Sequence, residues 1–323
     1  MKTLRLFTSL TLFGLIAGCA SIDSTVGSEE FLTEREQKQA LAKTKTPQYF
    51  GFNAYPAKGG IGFHGDARLH PNHQAHMKLI SGQPVVEIRG KSRRQSGQAL
   101  LDFSAASSWA EFSKAQEFEA TFMGMNGDVI PYRGGYTGEV KGYAAVISQL
   151  RLDQLFIENA PVYVRMSRGA LGPMARNIYD PHVDMVLGYD ILRLFETIQI
   201  SIRDGLVIFS SSHPYSPHED LLMTRAPIRQ IPGYGLAVSG AIYGQSTPIV
   251  LDLAGDFSFM RSDKKVAETK QVSLGDIVYR NVPTEQLPVQ GMLPRVGRRM
   301  LAPYLITICP KQGFVYFERY PGD

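Results

Sequence analysis

Apolar residues occur along most of this chain in short runs of strand length, separated by turns that contain Gly, Asn, Asp or Pro. Two of these runs end in a carboxylate that small residues soon follow: residues 99–101 lead into Asp102, and residues 248–251 lead into Asp252. This pattern is typical of a buried strand that ends in a tight loop. It predicts a protein built mainly of strands, with an acid at the end of one buried strand in each half.

Three blocks of sequence recur in the same order in the two halves. The first is a hairpin whose second strand ends at one of the two acids. The second reads strand, two-residue turn, strand over residues 152–161 and 274–283, with Leu, Asn and Pro at matching positions. The third is an apolar run that reaches Gly188 or Gly297, followed by a short helix and a last hairpin. These matches predict a tandem duplication whose halves are linked by residues 210–232.

The first residues have the layout of a secretion signal. Lys2 and Arg5 precede an apolar run over residues 6–17, which is too short to span a membrane comfortably. The run ends in Ala-Gly followed by Cys19, and this end resembles the lipobox of bacterial lipoproteins. A plain signal peptide that happens to contain a Cys is the alternative.

The lipoprotein resemblance implies that residues 1–18 form a signal peptide that is removed. Cys19 would then carry acyl chains such as palmitate and anchor the protein in a membrane. Because Ala20 rather than Asp follows the Cys, the resemblance favours the outer membrane, with the protein facing the periplasm or the exterior.

Residues 19–83 are expected to form a tether and an N-terminal extension. Residues 29–43 are rich in Glu, Gln, Lys, Ala and Leu, which favours a surface helix. Residues 49–65 are rich in Gly and aromatic residues, which suggests an irregular segment that wraps around the protein.

Three histidines, His70, His73 and His76, are spaced three residues apart. On a helix that begins near Pro71 they would lie along one face, as in some metal sites. Neither a Cys partner nor the spacing of a zinc protease accompanies them, so we expect a solvent-facing segment and no metal.

Composition narrows the class of protein. A chain of 323 residues with 44% hydrophobic residues is long enough for two domains, each with its own core. The net charge is only +4 and the basic residues are scattered, which argues against nucleic-acid binding. The basic run over residues 91–94 is expected at a solvated hairpin tip. The chain has only two cysteines, and Cys309 lies in an apolar run, which favours a buried thiol over a nucleophile.

The strand–Asp loops, the Asn-x-Pro strand pairs and the blocks at Gly188 and Gly297 resemble the pepsin and retropepsin superfamily of aspartic peptidases. The resemblance covers about residues 84–320. It implies an all-β, bilobal, pepsin-like fold made of two related retropepsin-like lobes with short helices. Lobe one would span residues 84–212 and carry a flap, and lobe two would span residues 213–323.

The resemblance also implies a reaction on a peptide held in the cleft between the lobes. In this family two carboxylates share a proton and activate a water, without metal or cofactor. Asp102 and Asp252 would be the catalytic pair. The family's flap carries a Tyr, and residues 122–138 would supply it as Tyr132 or Tyr136, between which the sequence does not decide. An ordinary long hairpin without a substrate role is the alternative.

Both loops depart from the family's Asp-Thr-Gly motif. Phe103 and Ser104 stand at the Thr and Gly positions of the first loop, and Leu253 and Ala254 stand there in the second. Two functions therefore stay open: an aspartic endopeptidase, or a catalytically degenerate homologue that binds a peptide or protein partner. Ser104 and Asp256, a further acid near the second loop, are lower-ranked site residues.

Overall fold

The computed structural model describes residues 30–322 apart from several short gaps. The gaps are residues 58–59, 72, 127, 135–139, 166, 169–182, 263–265 and 288–290. Strands make up 50% of the protein and helices 12%, which confirms the predicted β class. No helix in the described part of the chain is long and apolar enough to cross a membrane. The signal peptide, Cys19 and Tyr136 lie outside the described residues.

The N-terminal extension contains one helix and five short strands: β1 (Glu30–Phe31), α1 (Glu34–Leu41), β2 (Asn53–Ala57), β3 (Gly60–His64), β4 (Arg68–Leu69) and β5 (Gln74–Lys78). Helix α1 confirms the expected surface helix, since it buries none of its residues, and Thr33 and Glu36 close its first turn as a capping box. The interpretation of residues 49–65 as irregular was wrong, because β2 and β3 form a regular antiparallel hairpin.

The histidine segment is also not helical. Strand β5 includes His76 and pairs with the strand that ends at Ser210, so the helix from Pro71 that a metal site would need does not form. His70, His73 and His76 are exposed, which confirms the expected solvent-facing segment. Along β5, Ala75 and Met77 are buried while their neighbours are exposed, which is the alternation of a half-buried strand. Among the described residues, no group of three or more His, Cys, Asp or Glu side chains is placed to hold a metal ion.

The first large sheet and its helices follow. They comprise β6 (Val85–Arg89), β7 (Ser96–Leu101), β8 (Trp109–Ala110), α2 (Phe112–Glu117), β9 (Thr121–Phe122), β10 (Gly124–Met125), β11 (Asp128–Val129), β12 (Pro131–Gly134), β13 (Val140–Leu152), β14 (Leu155–Arg165), β15 (Ser167–Arg168), β16 (Met185–Leu187) and α3 (Tyr189–Leu192). Nine strands form one sheet in the order β12-β13-β6-β7-β16-β8-β14-β4, with β9 on β13, and a further β13–β14 pairing curls it into a barrel-like shape. Strands β10 and β11 form a separate small hairpin, and β1 pairs with β15.

The remaining elements form the second large sheet. They are β17 (Thr197–Ser201), β18 (Leu206–Ser210), β19 (Leu222–Arg229), β20 (Ala237–Ile242), β21 (Gln245–Asp252), β22 (Phe259–Arg261), β23 (Glu268–Leu274), β24 (Ile277–Gln286), β25 (Arg295–Gly297), α4 (Arg298–Leu301), β26 (Leu305–Cys309) and β27 (Phe314–Glu318). Twelve strands run in the order β21-β25-β22-β24-β23-β20-β19-β27-β26-β17-β18-β5, and β20 also pairs with β21.

The matched sequence blocks take the same local structure in both halves. Each half has its predicted hairpin leading to an acid, β6–β7 and β20–β21. The second blocks form the hairpins β13–β14 and β23–β24, and both matching asparagines, Asn159 and Asn281, have positive φ angles, of 52° and 53°. Asn is among the few residues that adopt this left-handed conformation at modest cost, so the recurring Asn has a backbone reason.

A parallel strand pair positions each acid loop. Strand β16 runs beside β7, and β25 runs beside β21, so each third block passes under the loop of its own half. The predicted short helices α3 and α4 follow at once. A side chain at Gly188 would place its Cβ 2.5 Å from the backbone carbonyl carbon and oxygen of Ser107. The Gly therefore permits the close backbone crossing that the fold requires.

We predict that Gly188→Ala lowers the free energy of unfolding by about 3 kcal/mol, because backbone atoms next to the acid loop must shift to admit the methyl group. Gly205→Ala is the control, since nothing lies within 4 Å of the added Cβ there and only its φ of 63° opposes the change. That control should lose about 1 kcal/mol. Urea unfolding measures both, and equal losses would contradict a steric requirement at Gly188.

Candidate active site

Asp102 lies at the end of β7, in a loop that wraps around its carboxylate. One oxygen, Oδ1, accepts hydrogen bonds from the Ser104 N–H at 2.9 Å, the Ser104 hydroxyl at 2.7 Å and the Ala105 N–H at 3.1 Å. The backbone N–H of Asp102 donates to Leu187 of the underlying strand β16 at 3.0 Å. Asp102 is only 1% exposed, so the loop holds the acid away from solvent.

Asp252 occupies the matching position at the end of β21. Its Oδ1 accepts from the Gly255 N–H at 2.8 Å, and the residue is completely buried. Its backbone pairs with Gly297 of β25. The two acids thus stand in equivalent loops, one from each large sheet.

A buried arginine connects the two acids. Arg295 Nη1 donates to Ser104 Oγ at 3.0 Å and lies 3.4 Å from Asp252 Oδ2, and its side chain is 5% exposed. Since Ser104 Oγ donates in turn to Asp102, the contacts run continuously from one sheet to the other. We call Asp102, Ser104, Asp252 and Arg295 the acid–arginine cluster.

Sequence reasoning missed Arg295. The residue opens the third block of lobe two, where Val186 stands in lobe one, and both pair with the residue two before the acid. A charged residue at the start of an otherwise apolar, buried run was the available signal, because a buried charge requires a partner. Ser104, ranked low from sequence, lies at the centre of the cluster.

The residues that directly follow the two acids are apolar and packed. Phe103 and Leu253 are both fully buried and belong to the same hydrophobic core. The backbone also joins the halves here, since the Leu236 N–H donates to the Phe103 carbonyl at 2.6 Å and the Gly235 N–H donates to the Ser104 carbonyl at 3.2 Å. Apolar packing and backbone hydrogen bonds therefore hold the two loops together.

Burial raises the pKa of Asp102 to about 6, and the negative charge of Asp252 adds to the increase. The hydrogen bonds of Ser104 and the positive charge of Arg295 act in the opposite direction and limit the rise. With two carboxylates and one guanidinium, the cluster carries one negative charge in excess when Asp102 is ionised. A single proton on Asp102 makes the cluster neutral.

Asp190 is a further, partly buried acid that the sequence did not single out. Its carboxylate accepts from the Ser108 hydroxyl at 2.6 Å and the Ser108 N–H at 3.0 Å, while Ser108 Oγ accepts from the Gly188 N–H at 2.9 Å. Burial raises the pKa of Asp190 to about 6. These contacts fasten the end of the Asp102 loop to helix α3.

Asp256 pairs with the arginines of helix α4. Its carboxylate accepts from Arg299 at 3.1 and 3.2 Å and lies 3.6 Å from Arg298. The hydrogen bond from Arg299 is the main reason that its pKa is lowered. These contacts give Asp256 a role in holding α4 against the second loop.

Of the two tyrosines considered for the flap, only Tyr132 belongs to the described residues. Tyr132 lies on β12 and pairs with Gly142 of β13, while Tyr136 falls in the undescribed residues 135–139, so the choice between them stays open. Cys309 is fully buried, as predicted, and burial raises the pKa of its thiol to about 12. A thiol that does not ionise near neutral pH is a poor nucleophile.

Comparison with protein-family models found no match for this chain, and comparison with curated protein sequences found none either. The function proposed for this protein is therefore inferred from the contacts of the acid–arginine cluster.

We predict that Arg295→Met lowers the free energy of unfolding at pH 8 by about 3–5 kcal/mol, because two buried carboxylates lose their cation. At pH 5 the loss should be clearly smaller, since a proton on Asp102 removes one of the two negative charges. Arg299→Met is the control: this exposed partner of Asp256 should contribute no more than about 1 kcal/mol. Urea unfolding at both pH values measures the difference, and a loss independent of pH would contradict the electrostatic role.

We predict that the wild-type protein loses stability as the pH rises from about 4 to 7. Asp102 has a pKa of about 6 when folded, against 3.8 for an unperturbed aspartate, so the folded state retains the proton longer. This stabilisation, about 3 kcal/mol, is complete below pH 3.8 and is lost as the pH rises through 6. Asp102→Asn should flatten the curve, and Asp190, whose pKa is also raised to about 6, should account for a remaining slope.

Asp256→Asn is the control of opposite sign. Because the pKa of Asp256 is lowered, its stabilisation is present above the ordinary pKa and is lost as the pH falls. This variant should lose less than about 1 kcal/mol at pH 7 and leave the slope between pH 4 and 7 in place. Urea unfolding across this range measures all three proteins, and an unchanged slope in Asp102→Asn would contradict the assignment.

Proposed function

We propose that this chain is a lipid-anchored protein of the bacterial envelope with a bilobal, pepsin-like fold and an acid pair that no longer catalyses hydrolysis. It binds an extended peptide or protein segment in the cleft between its lobes. The observation that carries this proposal is the position of Arg295, which contacts Asp252 directly and Asp102 through Ser104.

The contacts oppose the chemistry of an aspartic peptidase. That mechanism needs two carboxylates that share one proton, hold a water between them and face the substrate. Here Asp102 is 1% exposed and Asp252 is completely buried. A guanidinium lies 3.4 Å from Asp252, on a carboxylate that the mechanism requires to be open to a water and a substrate. The arrangement suits an ionic connection between lobes better than the activation of water.

Two features support the pepsin-like fold. The strand–Asp loops stand above matched parallel pairs, β7–β16 and β21–β25, and each pair leads through a Gly into a short helix. The two acids are also close enough for Asp252 to raise the pKa of Asp102. On this basis lobe one spans residues 84–212 and lobe two spans residues 213–323.

The lipid anchor is inferred from the sequence that ends at Cys19. No metal or cofactor forms part of the proposal. Residues 1–18 would be removed, and residues 19–83 would supply the tether and the extension that packs on lobe one. The attachment to the outer membrane follows from the lipoprotein resemblance.

An edge strand supports peptide binding. Among the described residues, strand β12 lies at one edge of the nine-stranded sheet. It belongs to the segment proposed as the flap. An edge strand can pair through its backbone with an extended segment of a partner, and side-chain pockets then supply specificity.

An active aspartic endopeptidase is the second candidate. One observation favours it: Asp102 has a pKa of about 6, in part because a second carboxylate lies nearby, as in a pair that shares a proton. Asp102 and Asp252 would then be the catalytic acids.

Cleavage of a peptide library between pH 4 and 7 separates the two functions. We expect neither the mature protein nor its Asp102→Asn variant to cleave the library, whereas pepsin, as a positive control, does so at acid pH. Cleavage by the wild type that Asp102→Asn abolishes would establish the endopeptidase. Cleavage that survives the substitution would contradict the assignment of the acid pair.

A further inference from the structure

The hairpin β2–β3 is separate from both large sheets. Among the described residues, its two strands, Asn53–Ala57 and Gly60–His64, pair only with each other and form a two-stranded sheet. A two-stranded hairpin of this kind is marginally stable alone in water. Its order therefore depends on the surface against which it packs.

That surface lies on lobe one and is formed by Trp109, Tyr163, Met123 and Ile130. We call it the aromatic groove. Phe52, just before β2, is 2% exposed and belongs to a buried cluster with Trp109, Met123 and Ile130. Phe63 of β3 packs on the same cluster, with its ring centre 6.3 Å from that of Tyr163.

Hydrogen bonds accompany this aromatic contact. The Tyr163 hydroxyl donates to the Ile61 carbonyl of β3 at 2.6 Å. Before the hairpin, the Lys45 N–H donates to Phe122 at 3.0 Å, and the Gly124 N–H donates to Lys45 at 2.9 Å. Side-chain burial rather than a continuous strand ladder therefore fastens the hairpin to lobe one.

The groove adjoins the acid loops. Ala254, two residues after Asp252, is buried in the same cluster as Phe52, and Ala105 of the first loop packs against it. Strand β3 also lies beside β12, the edge strand proposed as part of the flap. The hairpin thus covers the part of the molecule where the two acid loops and the flap strands meet.

We propose that the hairpin β2–β3 is a separable cover, which opens as a unit while both large sheets stay folded and uncovers a groove for an extended, aromatic-containing peptide. The opening of the hairpin is inferred only from how the hairpin packs. The peptide ligand rests on the proposed binding function, for which the groove would be the binding surface. A peptide that places two aromatic side chains as Phe52 and Phe63 do would occupy the groove in the hairpin's place.

The protein contains a built-in probe of this motion. Trp109 is the only Trp of the chain and is 1% exposed beneath the cover. Acrylamide quenching of its fluorescence in the full mature chain reports directly whether the groove is open. Tyr55→Ala is a matched control, because Tyr55 lies on the same hairpin but is 37% exposed and stacks on His64.

We expect Phe52→Ala to raise the quenching constant of Trp109 several-fold while the protein keeps its circular-dichroism spectrum and a cooperative unfolding transition. Tyr55→Ala should quench like the wild type. A synthetic peptide of residues 47–66 should restore shielding to Phe52→Ala in a saturable way, and the same peptide with Ala at both Phe positions should not. A folded Phe52→Ala that quenches like the wild type would overturn the cover, and a peptide without effect would overturn the groove.

If Phe52→Ala fails to fold, hydrogen exchange on the wild type tests whether the hairpin opens separately. The amides of β2 and β3 should exchange together and faster than those of β13 and β14. Equal protection of the two hairpins would overturn a separable cover. Since these readouts do not depend on cleavage, they remain valid whether or not the library experiment shows an active peptidase.

Discussion

The burial of two carboxylates at one point between two sheets is the constraint on which the centre of this structure depends. Like charges in a protein interior repel strongly, and each also loses its hydration. Arg295 offsets both costs by lying 3.4 Å from Asp252 and by donating to Ser104, which donates to Asp102. Strand β25 passes directly beneath the second loop, and this path brings the guanidinium to the acids. The Gly that ends this strand, Gly297, follows from the same path.

The local features of the fold were predictable because their causes are local. Turn residues and alternating apolar positions mark the hairpins, and a run that ends in Gly marks the crossing strands. The histidine segment has a similar lesson: a spacing of three is compatible with a helix, but the alternation of Ala75 and Met77 with polar neighbours was the better guide to a strand. In the hairpin β2–β3, abundant Gly and aromatic residues obscured a regular strand pair whose order comes from tertiary packing.

The acid–arginine cluster was only half predictable, because its contacts join distant parts of the chain. Arg295 lies 43 residues from Asp252 and 191 residues from Ser104 along the sequence. No local pattern sets that geometry, which depends on the register of β25 against β21 and on how the two sheets meet. The acids themselves were visible, since each ends an apolar strand. Their partners were not, and the partners decide whether the acids can activate water or serve to join the lobes.

The apolar residues that follow the two acids determine how the two loops are held. Phe103 and Leu253 lie in one hydrophobic core, and the backbone of Leu236 bonds to Phe103 across the halves. Apolar packing of this kind is strong but not directional, whereas hydrogen-bonded hydroxyls would orient each carboxylate. Orientation here comes instead from Ser104 and Arg295, which draw the carboxylates toward an ionic network inside the protein. A site organised in this way holds both carboxylates inside the protein, so the interior network and the proposed loss of catalysis would be two consequences of one arrangement.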